Sequence, residues 1–290
     1  MSVDKLQERI RKMKNATVVD LTALSEHIPP DLFAENKDFC DAYLIFAKSL
    51  LRGLKDVVPA VRFDFSSFAL YGARGLNVLE EVLSDASDMG YYVLLNGVEM
   101  LSAQAAEQAA KMLFFNDCRW RFDGLICTSY IGSDGVRPFE EQMRNSGKAL
   151  FVVVRTANKS APEIQDLLTG SRLCHVAKTD MVNRFAEPKI GKSGYSGIGV
   201  MAAASSADSL RSLRTKYKYL FLLLDGYDYP NANAKNCSYA FDKLGHGAAA
   251  CAGTAVIAAW QENSQLDYVT AAVCAAERLK KNLNRYITIL

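Results

Sequence analysis

One stretch of the sequence, residues 91–128, reads YYVLLNGVEMLSAQAAEQAAKMLFFNDCRWRFDGLICT. It begins with a short apolar run, Tyr91–Leu95, and ends with a second one, Leu125–Thr128. Between them, Ala103–Phe115 has the spacing of apolar residues that is typical of an amphipathic helix. Strands that are apolar at nearly every position are typical of parallel sheets covered on both faces. The stretch therefore predicts a strand–helix–strand unit of a parallel sheet.

The same alternation recurs along the chain. Further strand-length runs are Ala16–Leu21, Val57–Phe65, Ala149–Val154, Ile198–Ala202, Tyr219–Leu224 and Ala248–Cys251. Segments with helical spacing, such as Gly75–Met89, separate them. The last run is rich in alanine and has a low strand propensity. Because repeated βα units of this number favour closure over an open sheet, we predict an α/β fold, a (β/α)8 TIM barrel, as a single domain over residues 1–290.

Two segments fall outside the repeat. An amphipathic helix, about Val3–Lys14, precedes the first strand and is predicted to cap the bottom of the barrel. The segment Ser160–Ser196 is longer than one βα connection needs. It contains two helical stretches and a Gly/Lys-rich loop, Gly191–Gly197, and we interpret it as a lid or an insertion after strand five.

Composition narrows the class of protein. The formal charge of +2 over 290 residues indicates neither a nucleic-acid nor a membrane-surface partner. The seven cysteines are scattered and never spaced as CxxC, which predicts free thiols in a reducing compartment, with no disulfide framework and no zinc site. The charged first residues lack the apolar region of a secretory signal, and no apolar run reaches the ~18 residues of a membrane span. We therefore predict a cytoplasmic protein.

In such a barrel, functional side chains lie at the carboxyl ends of the strands and in the loops that follow. The candidate ligand-binding residues there are Thr22, Tyr130, Asp134, Thr156, Asn158, Tyr227, Asp228 and Thr254. No lysine or histidine is predicted at the end of a central strand, so few of these candidate residues could transfer a proton. His27, His175 and His246 are predicted to be solvated or adjacent to helix caps. Asp64 is either a general base or, as we prefer, the partner of Arg62.

Several short strings occur together in a characteristic order. They are Phe68 with Tyr71-Gly72, Ile131-Gly-Ser-Asp134, Val154-Arg-Thr156 with Asn158, Gly194-Tyr-Ser-Gly197, and Asp225-Gly-Tyr227. In this order and at these separations, the chain resembles the long bacterial form of orotidine 5′-phosphate decarboxylase over roughly residues 16–260. Each string alone is weak, whereas all of them in register indicate common descent.

The resemblance implies a barrel homodimer with active sites at the subunit interface. Such an enzyme converts orotidine monophosphate to uridine monophosphate and CO2 without a metal or an organic cofactor. The family's motif after strand three is Asp-x-Lys-x-x-Asp with a Thr four residues on, and its Lys protonates the carbanion. The aligned positions here are Asn96, Val98, Leu101 and Ala105. The resemblance implies that one residue of the family's charged cluster is retained here, namely the basic residue of strand two, which is Arg62.

The resemblance also identifies altered substrate contacts. The family's ribose-binding Asp aligns with Thr22, and the Ser that reads the pyrimidine aligns with Ala157. The phosphate loop loses its Gln and gains Asp225 and Asp228, while the phosphate-clamping Arg after strand eight aligns with Thr254. Carboxylates at a phosphate site disfavour a bound dianion.

Three functions follow from these substitutions. The first is a catalytically inactive paralogue with a structural or regulatory role, as a homodimer or as a mixed dimer with an active paralogue. The second is a binding module or an enzyme of altered specificity for a non-phosphorylated ligand, either cationic or uncharged, or for a divalent ion held by the loop carboxylates. The third is an active decarboxylase that uses other residues. No cofactor and no metal site is predicted.

Overall fold

A computed structural model describes residues 2–36, 38–97, 101–115, 118–262 and 265–290 of the chain. Among these residues, eight parallel strands form a closed barrel in which each strand pairs with its neighbours in sequence and the last pairs with the first. The strands are β1 Thr17–Asp20, β2 Ala60–Asp64, β3 Tyr92–Asn96, β4 Gly124–Thr128, β5 Ala149–Val153, β6 Ile198–Ala203, β7 Leu222–Asp225 and β8 Ala248–Ala252. The predicted (β/α)8 TIM barrel is confirmed.

Every strand begins or ends within three residues of its predicted bounds. The largest shifts are in β7, which starts at Leu222 instead of Tyr219, and in β2, which starts at Ala60 instead of Val57. Pro59 has no N–H group to give to a ladder, and the N–H groups of Val57 and Val58 bond instead to the carbonyl of Leu54. The alanine-rich β8 forms despite its low propensity because it is fully buried and hydrogen-bonded to strands on both sides.

Helices cover the outside of the barrel. The α-helices are α1 Ser2–Met13, α2 Pro30–Glu35, α3 Phe39–Leu54, α4 Phe65–Ala69, α5 Gly72–Asp88, α6 Ala103–Phe114, α7 Arg137–Ser146, α8 Pro162–Gln165, α9 Cys174–Ala186, α10 Ala207–Lys216, α11 Ala234–Ser238, α12 Thr254–Ile257 and α13 Tyr268–Leu283. The helix of the opening stretch, α6, begins where the Ser102 hydroxyl accepts the N–H of Ala105. No helix in the described ranges is long and apolar enough to cross a membrane.

The bottom of the barrel is closed by α1, as predicted. Val3, Leu6 and Ile10 on one face of the helix are fully buried. On the same side, the Gln7 side chain accepts the N–H of Gly247, just before β8, at 2.9 Å. The amino ends of the strands are therefore sealed, and the opposite end is left for ligands.

The insertion after β5 contains the two predicted helices, α8 and α9. Between them lies a hairpin that periodicity did not predict, formed by Leu168–Thr169 and Arg172–Leu173 around Gly170 at φ +67°. Short strands of two residues carry no alternation signal. The seven cysteines of the chain are free thiols, as predicted.

The interpretation of Gly191–Gly197 as part of a lid is wrong. This loop directly precedes β6, at the amino ends of the strands. Its Ser193 N–H donates to the Asp4 carboxylate of α1 at 2.8 Å, and Gly191 packs so closely on Asp4 that a side chain there would clash. The glycines allow contact with the capping helix, on the face opposite the strand ends that carry a ligand site.

Candidate functional site at the carboxyl ends of the strands

Arg62 is the centre of a buried ion-pair cluster. It lies on β2 in register with Asp20 of β1, and its side chain is 10% exposed. Its Nε donates to Asp20 Oδ2 at 3.0 Å, and its Nη1 donates to Asp225 Oδ1 on β7 at 2.9 Å. The guanidinium thereby bridges strands on two sides of the barrel mouth.

The environment keeps Arg62 charged. Burial acts to lower its pKa, but the charges of Asp20, Cys251 and Asp225 outweigh burial and raise the pKa of Arg62 well above its ordinary value. An arginine in this state holds its proton and is a poor general acid. Arg62 therefore acts as a fixed counter-charge for two carboxylates.

The predicted pairing of Arg62 with Asp64 is wrong. The Asp64 carboxylate caps α4 by accepting the Ser67 N–H at 3.0 Å, and it accepts the Asn96 side-chain amide at 3.0 Å. Burial raises the pKa of Asp64, an effect that the Ser67 N–H opposes. Arg62 instead has acidic partners on β1 and β7, because residues at the inner faces of different strands meet across the barrel.

Asp228 occupies the backbone donors that follow β8. Its Oδ2 accepts the N–H groups of Gly253 and Ala255 at 2.9 and 3.1 Å. These groups lie at the start of the short helix α12. In many TIM barrels, a phosphate is bound by the loops after strands seven and eight together with the N-terminus of a short helix. In this chain, a carboxylate of the protein fills that place.

A cavity of about 210 Å³ opens between these groups. We call it the central cavity; its lining is Asp20, Thr22, Leu24, His27, Arg62, Asp225, Gly226, Asp228, Tyr229, Cys251, Gly253, Thr254 and Ile257. Its carboxylates outnumber its guanidinium, and none of these described lining residues is a lysine. Ligand pockets for small molecules usually measure ~300–1,000 Å³, so this one is small as well as acidic.

Three of the predicted ligand-binding residues line the central cavity. The Thr22 hydroxyl donates to Asp20 Oδ1 at 2.9 Å, and Thr254 Oγ1 lies 3.2 Å from His27 Nε2. The third, Asp228, is held by backbone N–H groups as described. Each of these polar groups already has a partner within the protein.

The histidine predictions are confirmed in part, because His175 lies in the first turn of α9, next to the helix cap. His27 is 5% exposed and lines the central cavity, and His175 is 2% exposed, with Nδ1 at 3.0 Å from the Gln165 carbonyl oxygen. Neither is solvated. His246 is partly buried, with Nε2 at 2.9 Å from the Leu290 carbonyl oxygen. His27 was missed although it follows β1, in a loop that belongs by the barrel rule to the functional face.

Two further candidates line a second cavity, of about 400 Å³, at the carboxyl ends of β4 and β5. Its lining, which defines the second cavity below, is Thr128, Ser129, Tyr130, Gly132, Val153, Val154, Thr156, Ile164, Gln165, Cys174, His175, Ala177, Lys178 and Met181. Thr156 is held by Gln165, whose Nε2 donates to its Oγ1 at 2.8 Å. Lys178 was missed because it lies on a helix, away from any strand end.

The remaining candidates lie outside both cavities. Tyr227 is buried against α13, where its hydroxyl donates to the Leu279 carbonyl at 3.2 Å. Asp134, in a 3-10 turn before α7, and Asn158, in the loop after β5, are exposed. The structure therefore does not bring the eight predicted ligand-binding residues into one site.

The positions aligned with the family's catalytic motif are spread along the loop after β3. Asn96 ends β3 and donates to Asp64. Val98 lies outside the described residues. Leu101 is 81% exposed, and Ala105 lies in the first turn of α6. Among the residues that the structure describes, no group of three or more His, Cys, Asp or Glu side chains is placed to hold a metal ion.

The fold and its cavities define a class: a (β/α)8-barrel protein with an ion-paired, acidic cavity at the carboxyl ends of its strands. No protein-family model matches the chain. It is 23% identical to orotidine 5′-phosphate decarboxylase of Caldicellulosiruptor saccharolyticus, with 98% of both chains covered. It is 24% identical to the enzyme of that name from Clostridium acetobutylicum, over 98% of this chain and 99% of the relative.

Solved structures of that name share the fold. The orotidine monophosphate decarboxylase of Leishmania donovani superposes with a TM-score of 0.76 at 22% identity, covering 98% of each chain. That of Plasmodium berghei gives a TM-score of 0.79 at 12% identity, again over 98% of each chain. Over nearly its whole length the chain is therefore similar to proteins named orotidine 5′-phosphate decarboxylase, as its sequence strings predicted.

Proposed function

We propose that this protein is a catalytically inactive member of the decarboxylase lineage with a structural or regulatory role. The observation that carries the proposal is the Asp228 carboxylate on the N–H groups of Gly253 and Ala255. A phosphate that approached these donors would meet a negative charge at hydrogen-bonding distance from them. The aligned base, Arg62, is committed to Asp20 and Asp225.

Nucleotide binding tests the proposal directly. Because carboxylates dominate the central cavity, we expect no preference of the protein for uridine monophosphate over uridine, and a Kd above ~1 mM for both. Isothermal titration of the purified protein with each compound measures this. A curated relative, such as the Clostridium acetobutylicum enzyme, is the positive control. A preference for the nucleotide of tenfold or more contradicts the proposal.

Removing the Asp228 side chain should uncover the anion site. In Asp228→Ala, the two N–H groups lose their carboxylate and the cavity loses a negative charge. Hydrogen bonds to a charged acceptor contribute about 1.5–3 kcal/mol each, so we expect inorganic phosphate to bind the variant at least tenfold more tightly than the wild type. Phosphate-dependent stabilisation against heat provides the measurement.

Two controls distinguish the effect of freeing the Gly253 and Ala255 N–H groups from the effect of removing a negative charge. Asp134→Ala removes a carboxylate that is exposed and outside the cavity, so phosphate binding should stay at the wild-type level. Asp228→Asn removes the charge but keeps an oxygen that can accept the same N–H groups, so its gain should be smaller than that of Asp228→Ala. If Asp228→Ala binds phosphate no better than Asp134→Ala, the carboxylate does not block an anion site.

We also propose that the protein self-associates through the rim of the barrel formed by the loops after β2, β3 and β4. Leu70, Leu101 and Tyr130 follow these adjacent strands and are 76%, 81% and 86% exposed. Large apolar side chains exposed on the loops of adjacent strands support a protein–protein contact at this rim.

Size-exclusion chromatography with light scattering should give the mass of a dimer. Leu101→Asp should shift that mass toward the monomer, since it places a charge in an apolar interface. The exposed Leu244→Asp, near the bottom of the barrel, is the matched control and should leave the dimer intact. A monomeric wild type would contradict self-association. Co-purification with an active decarboxylase would instead favour the mixed dimer.

A further inference from the structure

The second cavity is lined mainly by apolar side chains. Val153, Val154 and Met181 lie between the barrel wall and α9, and Ile164 of α8 is 57% exposed. The cavity is therefore an apolar chamber within reach of solvent, with room for a small organic molecule.

The helix α9 contributes one lysine, Lys178, to the wall of this cavity. Cys174, Ala177, Lys178 and Met181 follow one another at the i, i+3, i+4 and i+7 positions of α9, the spacing that places side chains on one face of a helix. All four line the cavity. Lys178 is therefore the lysine among the described residues that line the second cavity, and it is half-buried, as are Cys174 and Ala177 beside it.

The Lys178 ammonium lacks a partner in the described part of the chain: no hydrogen bond or ion pair with a described residue is formed by its Nζ. Other lysines that are partly withdrawn from water do have partners. Lys148 donates to the Leu113 carbonyl at 2.6 Å and lies over the Phe122 ring at 3.9 Å, and Lys189 pairs with Glu140 at 2.7 Å. Lys178 is thus a cation in an apolar wall without the compensation that these lysines have.

The electrostatic environment agrees with this geometry. Burial lowers the pKa of Lys178, and the thiol groups of Cys127 and Cys174 offset only part of that effect. A cation withdrawn from water without a counter-charge is unfavourable unless an anion joins it. A negatively charged group beside Lys178 would offset that cost, whereas the rest of the wall favours an apolar body.

We propose that the second cavity binds a small monocarboxylate with an apolar body, whose carboxylate pairs with the Lys178 ammonium. A single charge matches the single cation, and the aliphatic or aromatic part of the ligand packs on Val153, Val154 and Met181. A phosphate dianion fits poorly because Lys178 is the one lysine or arginine among the described lining residues, and much of the rest of the wall is apolar. This site is independent of the central cavity and of the inactivity proposed above.

Titration of the full-length protein with benzoate and hexanoate tests the site. We expect both to bind the wild type, and we expect benzamide, which has the same body without the charge, to bind at least tenfold more weakly. Lys178→Met should weaken benzoate at least tenfold and leave benzamide unchanged. Lys178→Arg should retain most of the benzoate affinity. Lys159→Met removes an exposed lysine from the loop after β5 and should bind benzoate as the wild type does.

Thermal unfolding distinguishes a ligand site from a structural lysine. Because Lys178→Met removes an uncompensated charge from an apolar wall, its Tm should be no lower than that of the wild type. The proposal is overturned if the wild type does not bind benzoate at millimolar concentrations, if Lys178→Met binds it as tightly, or if Lys178→Met lowers the Tm. Since none of these readouts involves nucleotides or CO2 release, their failure leaves the proposed inactivity of the central cavity untouched.

Discussion

Purified protein is expected to release CO2 from orotidine monophosphate at least ~10⁴-fold more slowly than the Clostridium acetobutylicum relative assayed beside it. A positioned proton donor contributes about 10²–10⁴ to a rate. The position that aligns with the donor is valine in the sequence, at residue 98. The Arg62 guanidinium cannot substitute for it, since its carboxylate partners hold its proton in place.

The loss should be larger than the donor alone explains, because the groups of such a site act together and their effects do not add. Asp228 should also oppose a ligand phosphate, so we expect weaker substrate binding in addition to slower chemistry. Radiolabelled CO2 release is the measurement, with protein made in a host that lacks its own decarboxylase. Turnover within tenfold of the relative would mean that other residues carry the reaction, and the third function considered above would then be correct.

Replacing Arg62 with methionine is expected to lower the free energy of unfolding by about 3–5 kcal/mol. The substitution leaves Asp20 and Asp225 ionised at the barrel mouth without their counter-charge. For a domain of this size, the corresponding drop in Tm is roughly 6–20 °C. Chemical denaturation at pH 7 measures the change, with circular dichroism as the signal.

The triple variant Asp20→Asn, Arg62→Met, Asp225→Asn is the control for this prediction. Replacing a whole buried ion-pair cluster is often neutral, whereas removing one partner is not. The triple variant should therefore recover most of the lost stability. A triple variant as unstable as the single one would show that Arg62 stabilises by packing.

The strands and their order could be predicted because each apolar run is long enough to be recognised as a strand from its own residues. The alternation that starts at Tyr91–Leu95 and continues through Ala103–Phe115 sufficed for the barrel, and α1 was recognisable from its amphipathic spacing. The hairpin at Leu168–Thr169 and Arg172–Leu173 could not be predicted in this way. Its strands are too short for periodicity, and its register depends on the neighbouring helices α8 and α9.

The candidate site was predicted less completely than the fold. Thr22, Asp228 and Thr254 were selected as residues at strand ends, and the structure places all three around one cavity. His27, in contrast, was assigned to solvent because a single histidine in a loop carries no sign of burial. The pairing of Arg62 with Asp64 was inferred from closeness in sequence, although a barrel brings together residues that are far apart along the chain.

The sequence by itself determined the barrel, its similarity to the decarboxylases, and the absence of a lysine where that similarity implies one. Tertiary structure alone decided where the charged side chains lie. Arg62 meets Asp20 and Asp225, Asp228 meets the start of α12, and Lys178 lines the second cavity. The reason is physical. Apolar periodicity is a local property of the chain, whereas an ion pair or a cavity depends on closure of the barrel, which sets the distances between side chains on different strands.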